Sequence, residues 1–119
     1  MYNKVILIGR LTAEPELKET NGGTMVAKFT LAVDRKVSKD KEKEADFIDI
    51  IVWQKLAELC SRYLGKGRLV AVDGRLQIRS YDDKQGVRRK AAEVVAETVK
   101  FLDWAKENGK GDDGFDELF

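Results

Sequence analysis

Hydrophobic and polar residues alternate along much of this chain, the pattern of strands with one face in a core and the other in solvent. The alternation is clearest at residues 24–35, where apolar and polar side chains take opposite faces. Gly74 interrupts another such segment and predicts a bulge or bend there. In all, segments rich in β-branched and other strand-forming residues predict strands over residues 3–11, 24–35, 46–54, 68–81 and 87–102. The first of these strands is predicted to be buried.

One segment has helical periodicity instead. Between residues 54 and 65, apolar side chains recur every three or four positions and form one stripe. Gly65-Lys66-Gly67 is typical of a helix end. The Ala and Glu content of residues 87–102 would also suit a helix. Three strands, one helix and two strands are the order of a mainly β OB-fold, a five-stranded Greek-key barrel with its helix between strands 3 and 4.

The segments between these elements have the composition of loops. Pro15 and Asn21-Gly22-Gly23 predict a loop and a turn after the first strand. Residues 36–45 are almost all charged, and we interpret them as a solvated connection between two strands. Residues 82–86 predict a hairpin loop.

Composition excludes several classes of function. The 119 residues contain no His, which excludes a His-based triad and a His metal ligand. Cys60 is the only cysteine, so neither an intrachain disulfide nor a multi-Cys zinc site can form, in agreement with a reducing cytoplasm. No apolar run approaches the ~20 residues of a membrane span. We therefore expect no catalysis, cofactor, metal or membrane contact.

The net charge of +1 hides an uneven distribution. Residues 1–106 hold 21 Lys+Arg against 16 Asp+Glu, a net charge of +5. Residues 107–119 hold one Lys against five acids, a net charge of −4. The sequence therefore predicts a basic body with an acidic tail, a division typical of interaction tails and also of solvated chain ends.

Two strands carry outward faces that a dry core would not accept. Phe47 and Trp53 share a face with Asp49, opposite an aliphatic face. Buried charges need partners, so the charged face of residues 75–81 must be solvated, paired or in contact with an anion. That face consists of Arg75, Gln77, Arg79 and Tyr81. Aromatic rings interleaved with cations indicate a binding site for single-stranded nucleic acid. Each base that stacks on such a ring contributes ~1–3 kcal/mol to the binding free energy.

Plainer interpretations remain open from the residues alone. Phe47 and Trp53 could belong to the core, and Arg75 and Arg79 could form an ordinary solvated face. The basic run Arg88-Arg89-Lys90 must find solvent or phosphate. Carboxylates such as Asp49 could in principle hold Mg²⁺ in a nuclease, but no ligand pattern groups them.

Motifs distributed over residues 1–102 resemble those of the bacterial single-stranded-DNA-binding proteins. Together they are specific to that family, although none would suffice alone. They are NKVILIGRL (3–11), PEL (15–17), NGG (21–23), FTLAV (29–33), VWQKLAE (52–58), YLGKG (63–67), VDGRLQ (72–77), Arg79 and EVV (93–95).

The resemblance implies an OB-fold that coats and protects single-stranded DNA in the cytoplasm during replication, recombination and repair, without sequence preference. It further implies a homotetramer in which strand 3–11 pairs with its equivalent in another subunit. Stacking would fall on Phe47, Trp53 and Tyr81. Phosphate and polar contacts, taken from the resemblance and from the basic faces, would fall on Arg35, Lys36, Lys55, Lys66, Arg75, Gln77, Arg79, Arg88, Arg89 and Lys90.

The resemblance also divides the chain into a binding domain (1–102), a short linker (103–111) and an acidic tip (112–119). In the family such a tip recruits replication, repair and recombination proteins. Leu118 stands where the family usually has Pro, and the linker is short. The implied partner-binding residues are Asp112, Asp113, Phe115, Asp116, Glu117, Leu118 and Phe119. The alternative function is an OB-fold interaction adaptor in which DNA binding is secondary.

Overall fold

A computed structural model describes residues 1–36 and 42–103 of the chain. The predicted tip and nearly all of the predicted linker therefore lie outside the described residues, as does part of the charged connection 36–45. Six strands and one helix are present in the described part. They are β1 (Val5–Leu11), β2 (Glu16–Glu19), β3 (Met25–Asp34), β4 (Ala45–Trp53), α1 (Gln54–Tyr63), β5 (Leu69–Asp82) and β6 (Arg88–Phe101).

Five of the strands close into a barrel. They follow the order β1-β5-β6-β4-β3, and β1 also pairs with β3, so the sheet returns on itself. The β4–β6 pair is parallel, while the other pairs are antiparallel. The helix lies between the third and fourth barrel strands. The mainly β OB-fold predicted from the order of elements is confirmed, and the final segment is a strand throughout.

The sixth strand, β2, lies in the segment that Pro15 predicted as a loop. It pairs with the edge of β3, with Leu17 opposite Ala27, and all four of its residues are exposed. Its sequence, ELKE, has a single apolar position and thus no alternation for a pattern to detect. Backbone hydrogen bonding to the β3 edge, a long-range effect, is what makes this segment extended.

Two element ends differ from the predicted ones for local reasons. β1 begins at Val5 instead of Asn3, because at Asn3 the side chain, and not the backbone, makes the hydrogen bonds to β5. Its Nδ2 donates to the Leu76 carbonyl, and its Oδ1 accepts from the Leu76 N–H, both at 2.8 Å. α1 ends at Tyr63, because Leu64 is extended (φ −100°, ψ 148°). α1 has ten residues, and no helix in the described ranges is long and apolar enough to cross a membrane.

The barrel interior and the inner face of α1 form one hydrophobic core. Phe29 and Phe101 from the strands and Cys60 from the helix belong to this cluster, and Tyr63 packs against it. The rings of Tyr63 and Phe101 lie 6.3 Å apart at a tilt of 56°. Burial raises the pKa of the Cys60 thiol to about 12, so this cysteine is an inert packing group at neutral pH.

β1 is buried on one face instead of both, which corrects the expectation of a buried strand. Val5 and Leu7 pack against the core, while Ile6 and Ile8 project outward and are exposed. A second exposed apolar pair, Leu76 and Ile78, lies where the β5–β6 hairpin extends past the barrel. The side chains on this face of the hairpin therefore have no core against which to pack.

Two glycines lie where barrel strands approach most closely. A Cβ on Gly9 would collide with the Ala32 carbonyl on β3. A Cβ on Gly74 would collide with the Val95 carbonyl on β6. The β5–β6 register shifts between Asp73 and Gly74, which confirms the bulge predicted there. Side chains are excluded at both positions by backbone atoms, which have little freedom to move.

We expect Gly74→Ala to destabilise the protein by about 3 kcal/mol, because the added methyl group must displace the β6 backbone. Gly22→Ala is the matched control, since nothing lies within 4 Å of a Cβ there. It should change stability by less than about 0.5 kcal/mol. Urea unfolding at a fixed protein concentration measures both, and equal midpoints for the two variants would contradict the proposed steric role.

Candidate nucleic-acid interface

Three exposed rings lie on one outer face of the barrel. Phe47 and Trp53 on β4 are 69% and 43% exposed, and Tyr81 on β5 is 42% exposed. Ile50 and Val52, which alternate with them on β4, are fully buried. The structure therefore excludes the interpretation of Phe47 and Trp53 as core residues.

Strand register shows that these rings share a face. Asp49 on β4 is opposite Glu93 on β6, and Glu93 is opposite Gln77 on β5. Paired residues project to the same side of a sheet and alternate residues share a face, so Tyr81 projects to the same side as Phe47. Trp53 is six residues from Phe47, or about 20 Å along the strand. We call this four-stranded surface of β3, β4, β5 and β6 the aromatic face.

Between the rings, charged side chains form a continuous network across the four strands. The Nε of Arg79 donates to Oε1 of Glu93 at 2.9 Å. The Nζ of Lys28 lies 3.9 Å from Oε2 of Glu93 and 3.7 Å from Oδ2 of Asp49. The Oγ1 of Thr30 donates to Oδ1 of Asp49 at 2.9 Å. Two cations and two carboxylates thus balance one another at the centre of the aromatic face.

Glu93 is the residue that sequence reasoning missed. It is 4% exposed and is the charged residue that the fold buries within residues 1–36 and 42–103. A buried carboxylate needs a partner, and Arg79 and Lys28 provide two. The local sequence, Ala-Ala-Glu-Val-Val, gives no sign of this pairing. The sequence does place a possible partner, Arg79, on the preceding strand. Only the fold shows the strand register that brings Arg79 and Glu93 together.

Arg79 also has an aromatic neighbour. Its guanidinium carbon lies 5.5 Å from the centre of the Tyr81 ring, within cation–π distance. Arg79, which is predicted to contact phosphate, is therefore held by Glu93 on one side, and its guanidinium group lies over the Tyr81 ring on the other. Such a residue can orient the ring as well as attract phosphate.

The predicted cationic residues divide into two groups. Arg35 pairs with Glu44 and Asp46, Arg88 with Asp82, and Arg89 with Asp83. A second group has no carboxylate partner among the described residues and is exposed: Lys36, Lys55, Lys66, Arg75 and Lys90. Arg75 donates to the amide oxygen of Gln77 at 3.3 Å. The second group is therefore the more available to phosphate.

Two carboxyl groups beside paired arginines have altered acidity. The Arg35 guanidinium, through hydrogen bonds of 2.7 and 3.0 Å, holds the pKa of Asp46 below its usual value. In the β5–β6 turn, the Val87 N–H and Arg89 lower the pKa of Asp83. Both carboxylates remain charged at neutral pH, so both keep their arginines occupied.

The described residues contain no group of three or more His, Cys, Asp or Glu arranged to hold a metal. The face instead combines flat rings and exposed cations with a charge-balanced centre. This arrangement can bind a flexible polyanion that also has aromatic groups. The predicted partner-binding residues, from Asp112 to Phe119, lie outside the described residues.

Known proteins resemble this chain along most of its length. A "Single-stranded DNA-binding protein" of Clostridium tetani is 54% identical over 114 residues, which is 95% of this chain and 79% of the relative. "Single-stranded DNA-binding protein 3" of Clostridium acetobutylicum is 59% identical over 107 residues, 89% of this chain and 74% of the relative. "Single-stranded DNA-binding protein A" of Bacillus subtilis is 48% identical over 118 residues, 98% of this chain and 69% of the relative.

The fold has a solved counterpart as well. A structure of Plasmodium falciparum SSB in complex with ssDNA superposes with a TM-score of 0.79 at 33% identity, and it covers 87% of this chain and 96% of the other. The family model of the single-strand binding protein family matches residues 2–102, which are the five barrel strands, β2 and α1. The chain belongs to the single-strand binding protein family.

Proposed function

We propose that this protein binds single-stranded DNA without sequence preference and protects it, by stacking bases on Phe47, Trp53 and Tyr81. The observation that carries the proposal is the exposure of these three rings on one face of a closed barrel. Large apolar side chains at such positions are unfavourable in water unless a partner covers them. Relatives named for single-stranded DNA binding support the same function. It is a binding function without catalysis.

Base stacking explains the selectivity for single strands. Every base has a flat face, so stacking provides affinity without a choice of sequence. In a duplex these faces are already stacked on one another and cannot reach the protein rings. The phosphates would contact the exposed cations that have no carboxylate partner among the described residues, which are Lys36, Lys55, Lys66, Arg75 and Lys90. Counterion release makes this part of the affinity dependent on salt, while the stacking part is much less so.

We propose that Arg35, Arg79, Arg88 and Arg89 make secondary contacts, since each is already paired with a carboxylate. Gln77 projects from the same face and would offer its amide to a base or a sugar. The setting of this activity would be the bacterial cytoplasm during replication, recombination and repair, where single strands are exposed.

We expect Phe47→Ala and Tyr81→Ala each to weaken binding of oligo-dT by about 5- to 150-fold, equivalent to the loss of one stacked base. Tyr2→Ala is the matched control, because Tyr2 is an exposed aromatic outside the aromatic face. It should leave the affinity unchanged. Fluorescence anisotropy of a labelled oligonucleotide measures all three proteins.

Trp53 provides a direct signal for the same function. In a Trp104→Phe background, its fluorescence should be quenched by oligo-dT, and duplex DNA should have little effect. Equal affinity for duplex and single strand, or full affinity after both ring substitutions, would reject stacking as the mode of binding.

We propose that the chain assembles as a homotetramer through the outer face of β1. Ile6 and Ile8 are exposed there, and their burial against another subunit would remove apolar surface from water. An Ile6→Asp/Ile8→Asp variant should therefore sediment as a smaller species than the wild type. Leu17→Asp on β2 is the control, because Leu17 is also exposed but lies on a different strand. A wild-type monomer would contradict the assembly.

We propose further that the acidic segment 112–119 recruits replication, repair and recombination proteins. Its support is compositional: four acids with Phe115, Leu118 and Phe119 beside a basic body. Deleting residues 112–119 should abolish capture of such proteins from a bacterial extract while single-stranded DNA binding persists.

The adaptor alternative predicts a different pattern. If Phe47, Trp53 and Tyr81 are all replaced by Ala, an adaptor would keep its partners and lose little DNA affinity. The proposed function requires that this triple variant lose DNA binding and keep capture through segment 112–119. A Phe115→Ala/Phe119→Ala variant, which preserves every charge, separates apolar docking from charge attraction.

A further inference from the structure

Asp49 places a carboxylate in line with the stacking rings. It is two residues from Phe47 and four from Trp53 on the same face of β4, or about 7 and 13 Å along the strand. A base stacked on Phe47 would therefore have its edge within reach of Asp49. Electrostatic attraction to DNA does not explain this position, because a carboxylate repels phosphate.

One oxygen of Asp49 is left available by its neighbours. Oδ1 accepts the Thr30 hydroxyl at 2.9 Å. Oδ2 faces the Nζ of Lys28 at 3.7 Å, which is too long for a hydrogen bond, and Lys28 is shared with Glu93. Within the described ranges, Oδ2 accepts no hydrogen bond, and the side chain is 41% exposed. Thr30 holds the carboxylate in place while Oδ2 remains open to a ligand.

Space for a base edge exists beside it. Asp49 lines an open cavity of about 250 Å³ together with Lys28, Thr30 and Thr12 and with two further acidic residues, Glu14 and Glu16. A cavity of this size has room for several water molecules, which a planar group can displace.

We propose that Asp49 gives this subsite a preference for amino-bearing bases. An ionised carboxylate can only accept hydrogen bonds. Cytosine and adenine present exocyclic N–H₂ donors, while thymine presents a carbonyl oxygen at the corresponding position. Oδ2 of Asp49 accepts a hydrogen bond from the amino group of a base stacked beside Phe47 and repels the thymine carbonyl. The inference rests on the proposed binding of single-stranded DNA and adds a local bias to it.

The test compares oligo-dC with oligo-dT of equal length, for the wild type and Asp49→Asn, by anisotropy of a labelled strand. Asn keeps the oxygen that Thr30 contacts and replaces the other by an N–H₂ donor. The ratio of dC to dT affinity should fall about three- to tenfold in the variant, the loss of one base-edge contact. Glu58→Gln removes the same charge from the exposed surface of α1 and should leave the ratio unchanged.

A modified base isolates the amino group. Replacing one cytosine after another by pyrimidin-2-one, which lacks the 4-amino group, should weaken binding to the wild type at one position along the strand. The same replacement should have no effect on Asp49→Asn. This comparison is independent of the stability of the variant, because each protein serves as its own reference.

The possible outcomes separate the two proposals. If Asp49→Asn raises the affinity for dC and dT equally, the carboxylate acts only by repelling phosphate and base discrimination is overturned. An unchanged ratio overturns it as well, while binding to both oligonucleotides still upholds the proposed function. If the wild type binds neither oligonucleotide, the proposed function fails, and the base preference fails with it.

Discussion

Closure of the barrel is the constraint on which the rest of the structure depends. β1 must pair with β5 on one side and with β3 on the other, and this brings backbones together at two glycines. Gly9 lets β1 approach the Ala32 carbonyl, and Gly74 lets β5 approach β6 at the bulge. Closure gives every barrel strand an inner and an outer face, so the strand period of two is converted into a core and an exterior surface.

Side chains that find no place in the barrel core must lie on its outer surface. On β4 the inward Ile50 and Val52 fill the barrel, so Phe47 and Trp53 have no interior to enter. Charged groups on the same face satisfy one another: Glu93 is buried against Arg79 and shares Lys28 with Asp49. A charge-balanced centre has little attraction for phosphate. In the proposed function, the bases of the bound strand would therefore contact the rings, and its phosphates would contact cations outside this network.

Much of this could be predicted from alternation, because alternation reports which side chains share a face. The fold class, the helix, the bulge at Gly74 and the exposed positions of Phe47, Trp53 and Tyr81 followed from periodicity, from turn residues and from the family resemblance. These properties follow from the pattern within each segment and from the order of the segments along the chain.

What could not be predicted depends on contacts between segments distant in sequence. Strand β2 has no alternation and forms by pairing with β3. Leu76 and Ile78 lie opposite the charged face of β5 and are exposed, because the β5–β6 hairpin extends past the core that would bury them. The pairing of Glu93 with Arg79 requires the register between two strands. Sequence patterns indicate the direction of a side chain, and the fold determines what it meets.

Pairing also changes the meaning of the charge count. The net charge of +5 on residues 1–106 suggests a uniformly attractive surface, yet several of its arginines form ion pairs with nearby carboxylates. Among the predicted cationic residues, five have no carboxylate partner in the described part of the chain: Lys36 after β3, Lys55 at the start of α1, Lys66 after it, and Arg75 and Lys90 on the β5–β6 hairpin. Strand register puts Arg75 on the aromatic face and Lys90, opposite Ser80, on the other side of the hairpin. The net charge of a segment therefore does not show which of its cations are available to an anion, because ion pairs within the fold occupy some of them and leave others exposed.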